Sequence, residues 1–483
     1  MIRINRQPKT QLLISVLLLM AISCSRQVKQ PPMPTKIPSF FTTTGVEPLP
    51  DSWWLSFKDD ELNVLIEQAL KDSFDLAAAW DRLAQAEAVA KKSDTSLLPR
   101  ADLEAGFRRS RQEAQGSTVY STLYSLGIAA GYEVDLWSQI RSLQQASWLD
   151  VQAQQEAVNT AAITLTASIA STWYQLAEAK ALIRIATEQI ETNRQVLNIV
   201  NVQFRNGSAS AADVLRQRQL VASTEAQLIL AEEKVELLQY QLSVLMGYQP
   251  ELVWQQTTID LPDLPPMPRL GVPADVLWRR PDIRQDYRKV QAADQRLAAA
   301  IADQYPSISL AANVETSSVS VHDLFDDWLA NLVANAIQPV FDGNLRKAEV
   351  ERQNAIVLER IHTWGQTILD ALGEIETALT REKQQTRFLE SLRLQLELAR
   401  ETNNRNRERY IKGQTDYIRV LESLTSLQAL ERSVITAQRT LIGYRIDLYR
   451  SIAGSFDLPK PTPTDVNDLT GAVTNPGNII QNK

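Results

Sequence analysis

Few side chains in this 483-residue sequence are of the kinds that make and break bonds, and those few are not arranged for it. There are two histidines, His322 and His362, and one cysteine, Cys24, with no second ligand beside any of them at zinc-binding spacing. No glycine-rich phosphate loop and no Gly-x-Ser-x-Gly elbow occurs, so the chain is expected to be no enzyme and to use no metal or cofactor. The charges that stand out lie beside two short turns. Asp213 and Arg419 each immediately precede a valine of a heptad seam, at equivalent g positions where neighbouring helices exchange ion pairs. With Asp416 and Glu422 close by, such pairs would form a locked, partly acidic constriction that favours cations. Local roles compete: Ser210-Ala211-Ala212-Asp213 has the spacing of a capping box, and Asp416 stands where an N-cap belongs.

The elements that position these charges are written twice. Phe204-Arg205-Asn206-Gly207-Ser208-Ala209-Ser210 and Tyr410-Ile411-Lys412-Gly413-Gln414-Thr415-Asp416 each join two long helical stretches. Glycine lets the backbone turn left-handed where a helix stops, so both read as tips of helical hairpins. Beyond the first tip Val214, Val221, Leu228, Val235 and Leu242 fall seven apart, with Ala231, Leu238 and Leu245 at d positions. Beyond the second, Val420, Leu427, Val434, Leu441 and Leu448 do the same, with Leu430, Ala437 and Tyr444 at d. Four or more heptads in this register predict coiled-coil packing. Gly207 and Gly413 lie 206 positions apart, as do Val214 and Val420, which marks an internal duplication.

Each copy opens with shorter helices and a strand pair. Residues 102–108 and 120–132 alternate polar or small with apolar or aromatic residues around a polar 109–117 segment, as a β-hairpin with one apolar face does, soluble or membrane-embedded. Phe107, Tyr120, Tyr124, Tyr132, Trp137 and Trp328 are candidates for an interfacial aromatic girdle. The predicted layout is 1–23 a signal peptide, 24–50 a proline-rich tether holding the folded body away from its anchor, and 51–248 the first repeat. Its strand pair lies at about 101–135 and its tip near 207. A proline-rich linker at 249–273 leads to the second repeat at 274–456, with strands at about 307–341 and a tip near 413, and 457–483 is a tail. An unbroken helical stretch of about 65 residues precedes each tip and would span roughly 100 Å.

Composition excludes several function classes. With 57 Asp and Glu against 50 Lys and Arg the formal charge is −7, and three of the bases (Arg3, Arg6 and Lys9) sit at the extreme N-terminus, so no nucleic-acid partner is expected. A hydrophobic content of 44% with only 16 glycines suits long helices with buried seams. Residues 12–20 are an apolar run too short to span a bilayer, as in a secretory signal.

Ala21-Ile22-Ser23-Cys24 after that run resembles the lipobox of bacterial lipoproteins, which implies cleavage before Cys24 and a covalent lipid on it. Ser25 fits sorting to the outer membrane. Together with the duplicated strand-pair and hairpin order, Asp213-Val214-Leu215 and Val420-Leu421 after the tips, and Arg279-Arg280-Pro281-Asp282-Ile283, the chain resembles the outer-membrane factor family. These are TolC/OprM-type exit ducts, and the resemblance is to their efflux-associated lipoprotein branch. It implies a mainly α fold with transmembrane β, a trimer whose 12-stranded β-barrel continues into a 12-helix periplasmic α-barrel. Four strands per chain cannot close a barrel alone, which agrees with self-association.

The function implied is a gated outer-membrane exit duct of a tripartite efflux system, with a periplasmic adaptor and an inner-membrane pump as partners. A type I secretion duct shares this architecture, and a lipid-anchored coiled-coil scaffold without a pore is the alternative if both strand pairs are soluble. By position in the family, Asp213 and Tyr410 match polar residues that close the periplasmic end. The family's acidic positions fall on Arg419 and Glu422, and its basic one on Thr415, so that pattern is kept only in part. The gate set is therefore Asp213, Tyr410, Asp416, Arg419 and Glu422. Adaptor contact is expected at Arg205, Asn206, Gly207, Ser208, Lys412, Gly413 and Gln414, where small and polar tips admit another helical hairpin.

Overall fold

The computed structural model describes residues 34–45, 51–114, 116–250, 260–456 and 458. Cys24, the signal segment and most of the C-terminal tail lie outside the described residues. The chain divides into two compact units, and neither coincides with a sequence repeat. One comprises the described residues of Met1–Lys36, Arg82–Gln155 and Ile283–Thr367, the other those of Ile37–Asp81, Glu156–Asp282 and Ile368–Lys483. Each unit draws segments from both copies.

The first unit is built on a four-stranded antiparallel sheet of β1 (Arg100–Ala114), β2 (Ser117–Glu133), β3 (Ser307–Ser318) and β4 (Leu329–Ile337), in the order β1-β2-β3-β4. β4 ends at Ile337 rather than near 341, because Pro339 has no N–H for the ladder. The two strand pairs join through β2 and β3, where Ile128 lies opposite Val314 and Tyr132 opposite Leu310. Because paired residues share a face, the register sorts every side chain. One face carries Leu103, Ile128 and Val314 in one row, Ala101, Ala130, Ala312 and Leu332 in the next, and Phe107 with Tyr124 toward the β1–β2 turn. The opposite face carries Asp102 with Asn313 and Asn331, Glu104 with Gly127 and Glu315, and Gly106 with Ser125. A Cβ on Gly127 would stand 3.0 Å from both Glu315 Cβ and the Val314 carbonyl, so glycine leaves the room that Glu315 occupies.

The apolar face runs from the Ile308 and Ala336 row to the Phe107 and Tyr124 row. Ten residues at about 3.4 Å each, tilted by about 40°, make a band roughly 26 Å tall, the height of a barrel's hydrocarbon belt. Trp137, one of the candidate girdle aromatics, is half-buried just past the end of β2. It stacks on Tyr305 at 5.0 Å and donates its indole N–H to the Pro306 carbonyl, 2.9 Å, pinning the end of one strand pair to the start of the other.

Two long helices leave this sheet, α3 (Gln139–Arg205) and α7 (Leu345–Ile411), after α1 (Asp60–Asp72) and α2 (Phe74–Asp94) in the first copy and α5 (Pro273–Arg279) and α6 (Pro281–Ala302) in the second. Both begin in the same way. The Asp135 carboxylate accepts from the Ile140 and Arg141 amides at 3.0 Å, and that of Asp342 from Asn344 and Arg346 at 3.0 and 3.3 Å. These bonds satisfy the orphan N–H groups of a helix start, and with the Arg346 side chain they hold the Asp342 carboxyl below its ordinary range.

The second unit holds both hairpins, completed by α4 (Ala211–Leu245) and α8 (Tyr417–Ile452). Its core centres on Trp53, fully buried, stacked on Tyr449 at 5.6 Å, and on Phe57 against Tyr174 at 5.3 Å. Arg445 and Glu382 form a bidentate pair at 2.8 and 2.6 Å, both buried, and Arg445 also donates to the carbonyls of Pro265 and Pro266. The proline-rich linker is thereby fastened to the second hairpin, and Gln438 adds a bond to the Leu261 carbonyl at 3.2 Å. Residues 37–45, within the proline-rich stretch, are bonded to this unit. The Thr42 amide and hydroxyl both bond the Glu376 carboxylate, and the Gly45 amide bonds the Pro268 carbonyl at 3.0 Å. Arg280 of the Arg-Arg-Pro-Asp run is buried and bonds Asp282, Glu374 and the Ser451 carbonyl, tying α6, α7 and the end of α8 together.

Candidate functional site at the hairpin tips

Both tips close with the same hydrogen bonds. The Ser208 amide reaches the Gln203 carbonyl at 2.8 Å and the Gly207 amide that of Phe204 at 3.0 Å; Gln414 to Arg409 and Gly413 to Tyr410 repeat this at 2.8 and 2.9 Å. This is the Schellman pattern, and Gly207 and Gly413 adopt its left-handed backbone, with φ of 75° and 70°. Nothing lies within 4 Å of a Cβ built on either, so backbone conformation rather than space demands glycine. Arg205, Asn206, Gly207, Ser208, Lys412, Gly413 and Gln414 are all exposed.

Behind the tips the hairpins meet in a small core of Val200, Val214 and Tyr417, flanked by Leu197, Tyr410 and Leu421. The Tyr410 and Tyr417 rings lie 5.9 Å apart, and their hydroxyls donate to Gln203 and Gln217 respectively. Burial, with the Asp213 charge nearby, raises both phenols above their ordinary pKa; for Tyr417 the Tyr410 hydroxyl adds to the rise and Arg216 opposes it. Both remain neutral hydrogen-bond donors well into the alkaline range.

Asp213 is engaged within its own hairpin. Its carboxylate accepts from the Ser210 amide at 3.0 Å, and the Asp213 amide reaches the Ser210 hydroxyl at 3.2 Å, completing a capping box. Arg216, one turn on, approaches it at 3.6 Å. Asp416 occupies the N-cap of α8 without making a side-chain cap bond. It is exposed, as are Arg419 and Glu422, and the Arg419 carbonyl accepts from Asn406 at 3.3 Å. Within the protomer Asp213 thus faces Arg216 rather than Arg419.

A layer that sequence reasoning missed lies just above. Gln189 and Asn193 of α3, Gln217 and Thr224 of α4, and Gln428 of α8 are all buried. Gln428 donates to Asn193 at 2.9 Å, Asn193 to Thr224 at 3.0 Å, Gln217 to the Asn193 carbonyl at 2.8 Å, and Gln189 to Glu431 at 2.9 Å. Arg432 closes the layer on Gln189 at 2.6 Å. The available signal was that Gln217 and Thr224 stand three residues after Val214 and Val221, at d positions where a coiled coil expects apolar residues. Among the described residues no group of histidines, cysteines and carboxylates could hold a metal.

The arrangement is of two hairpins joined by a buried layer of polar bonds and ending in exposed polar turns. Residues 65–248 and 272–454 match the sequence family described as outer membrane efflux protein. The chain is 30% identical over 445 residues to the pyoverdine export outer membrane protein OpmQ of Pseudomonas putida, covering 87% of this chain and 92% of that protein. It is 25% identical over 415 residues to the cation efflux system protein CusC of Escherichia coli K12, covering 83% and 88%. Among solved structures it is similar to the outer-membrane channel OprN, with a TM-score of 0.82, 25% identity, and coverage of 88% of this chain and 98% of that one.

Proposed function

Because this chain belongs to the outer membrane efflux protein family, we propose that three copies close a 12-stranded barrel in the outer membrane and extend a helical duct to a periplasmic adaptor on an inner-membrane pump. The observation that carries this is the sheet. It has one apolar and one polar face, and β1 and β4 are its two edges. Unpaired edge amides and carbonyls are not tolerated in hydrocarbon, so the edges must meet those of other copies. Two copies would give eight strands, a barrel filled by its own side chains; three give twelve and leave a lumen. Unpartnered apolar side chains on α4 (Ile229, Leu230 and Leu237) and on α7 (Phe388, Leu394 and Leu398) supply seams for neighbouring protomers.

The tips are the adaptor-docking end, since a helical hairpin can approach the exposed 205–208 and 412–414 turns closely. Gating falls to Tyr410, Asp213, Asp416, Arg419 and Glu422, with Arg419 of one hairpin paired to Asp213 of the next around the ring. Cys24 carries the lipid that holds the N-terminus at the membrane. Cargo is set by the pump, which agrees with relatives named for pyoverdine export and for cation efflux.

Planar-bilayer recording of the purified trimer tests the duct. Small wild-type pores that widen when Asp213 and Arg419 are both replaced by alanine are expected. A properly assembled trimer that conducts in neither form would refute the gate. Palmitate labelling lost in Cys24→Ser tests the anchor.

A further inference from the structure

Resting on the barrel reading, we propose that Arg109 and Arg111 form a docking patch on the outer wall of the barrel for the phosphate groups of phosphorylated outer-leaflet glycolipid. The register places them. Arg109 lies opposite Thr122 and Arg111 opposite Tyr120, on the face that carries Leu103, Phe107, Tyr124 and Ile128. That face meets lipid. The Phe107 and Tyr124 row ends the apolar band, and Arg109 and Arg111 stand one and two side-chain rows beyond it, toward the β1–β2 turn.

Two residues of strand at about 3.4 Å each, tilted by about 40°, rise about 5 Å, so the Arg109 and Arg111 rows lie about 5 and 10 Å beyond the Phe107 row that ends the band. Headgroups occupy that layer. Both arginines are exposed. The Arg109 guanidinium lies 5.9 Å from the centre of the Tyr120 ring, beside an amphipathic aromatic. Arg111 makes one loose contact with Glu113, 3.5 Å, in which both partners are largely solvated. Glu113, the next charge outward on this face, also lies 3.5 Å from the Thr118 hydroxyl, and it bounds the patch on the far side.

Arginine is the side chain suited to this task, because its planar fork binds phosphate oxygens two at a time and is weakly hydrated. Charge complementarity and continuity with the apolar belt together select a lipid: acyl chains lie along Leu103 and Ile128 while the phosphates meet the arginines above. Arg108, between Phe107 and Arg109 in sequence, points to the lumen face opposite Leu123. It carries the same charge on the same strand and cannot touch lipid.

The test reconstitutes wild-type, R109A/R111A and R108A trimers in phosphatidylcholine nanodiscs containing bisphosphorylated or dephosphorylated lipid A. Lipid A retained per trimer is counted after washing, by native mass spectrometry. Wild type and R108A should retain the phosphorylated form equally, and R109A/R111A about tenfold less, as expected for loss of roughly one strong charge-assisted contact. The dephosphorylated form should be retained weakly by all three. Equal retention by R109A/R111A and wild type, or an equal loss in R108A, would overturn the proposal. So would competition by millimolar inorganic phosphate, which would indicate a small-anion site instead. If R109A/R111A failed to assemble, the arginines would be bonding a neighbouring copy and the proposal would fall. Failure of the wild type to insert as a heat-modifiable trimer would overturn the barrel reading itself, a separate outcome visible before any lipid A is added.

Discussion

At the scale of single residues, Asp213 serves two demands that substitution can separate. Asp213→Ala removes the capping box and should cost the hairpin about 1 kcal/mol, read as a lowered melting temperature. Asp213→Asn keeps an acceptor for the Ser210 amide while deleting the charge, so it should leave stability nearly intact. If the charge helps seal the entrance, conductance should rise as much in Asp213→Asn as in Asp213→Ala, and unchanged conductance in Asp213→Asn would leave Asp213 a cap alone. The Tyr417 phenol, bonded to Gln217, gives a pH test. Its pKa is raised in the folded chain, above the ordinary value of 10.0, so the unfolded state ionises first. The stability it contributes is complete below that value and is lost as pH climbs beyond it. Tyr417→Phe should therefore flatten the fall in urea midpoint between neutral pH and strongly alkaline conditions, and an unchanged slope would refute the assignment. Asn193→Leu should leave the Gln428 side-chain amide without its partner, while Thr224 keeps its bond to the Leu220 carbonyl, and should cost about 1–3 kcal/mol.

At the scale of elements, the sheet's two faces make opposite predictions for adjacent residues. Ala312→Lys places a charge in the middle of the apolar band and should cost about 2–4 kcal/mol in urea unfolding from lipid. Ala311→Lys, on the lumen face beside Gly131, should cost close to nothing. The same logic applies to the linker. Breaking the buried pair by Arg445→Met should cost about 3–5 kcal/mol and expose the 260–270 segment to protease, because Arg445 also holds the Pro265 and Pro266 carbonyls. Replacing Glu382 by leucine at the same time should recover much of the stability but not the protection, which separates the cost of a stranded charge from the grip on the linker.

At the scale of the whole molecule, the proposed duct is an assembly of three copies with an adaptor, so its tips should report the partner. A thiol-reactive probe on Ser208→Cys or Gln414→Cys should be shielded by the adaptor, whereas one on Ser93→Cys should not. What the sequence by itself determined was everything carried by short-range spacing. The glycine tips, the heptad seams of α4 and α8 and the alternation in β1 and β2 can all be read within a few tens of residues, because helix and strand periods are local properties of the backbone, and the duplication is the recurrence of those local patterns 206 positions on. The family could be read for the same reason, from motifs such as Arg279-Arg280-Pro281-Asp282-Ile283. What only the tertiary structure decided was which distant residues meet. The β2–β3 pairing sets Ile128 against Val314 and so joins two strand pairs far apart in sequence into one sheet. The Asn193 and Gln428 amides become partners only where α3 and α8 touch, some 235 residues apart. Residues 37–45, which composition reads as a free tether, lie bonded to Glu376 and Pro268. The physical reason is common to all three: hydrogen bonds and burial are satisfied across space, and a polar side chain in a seam looks like a surface residue until the helix that buries it is in place.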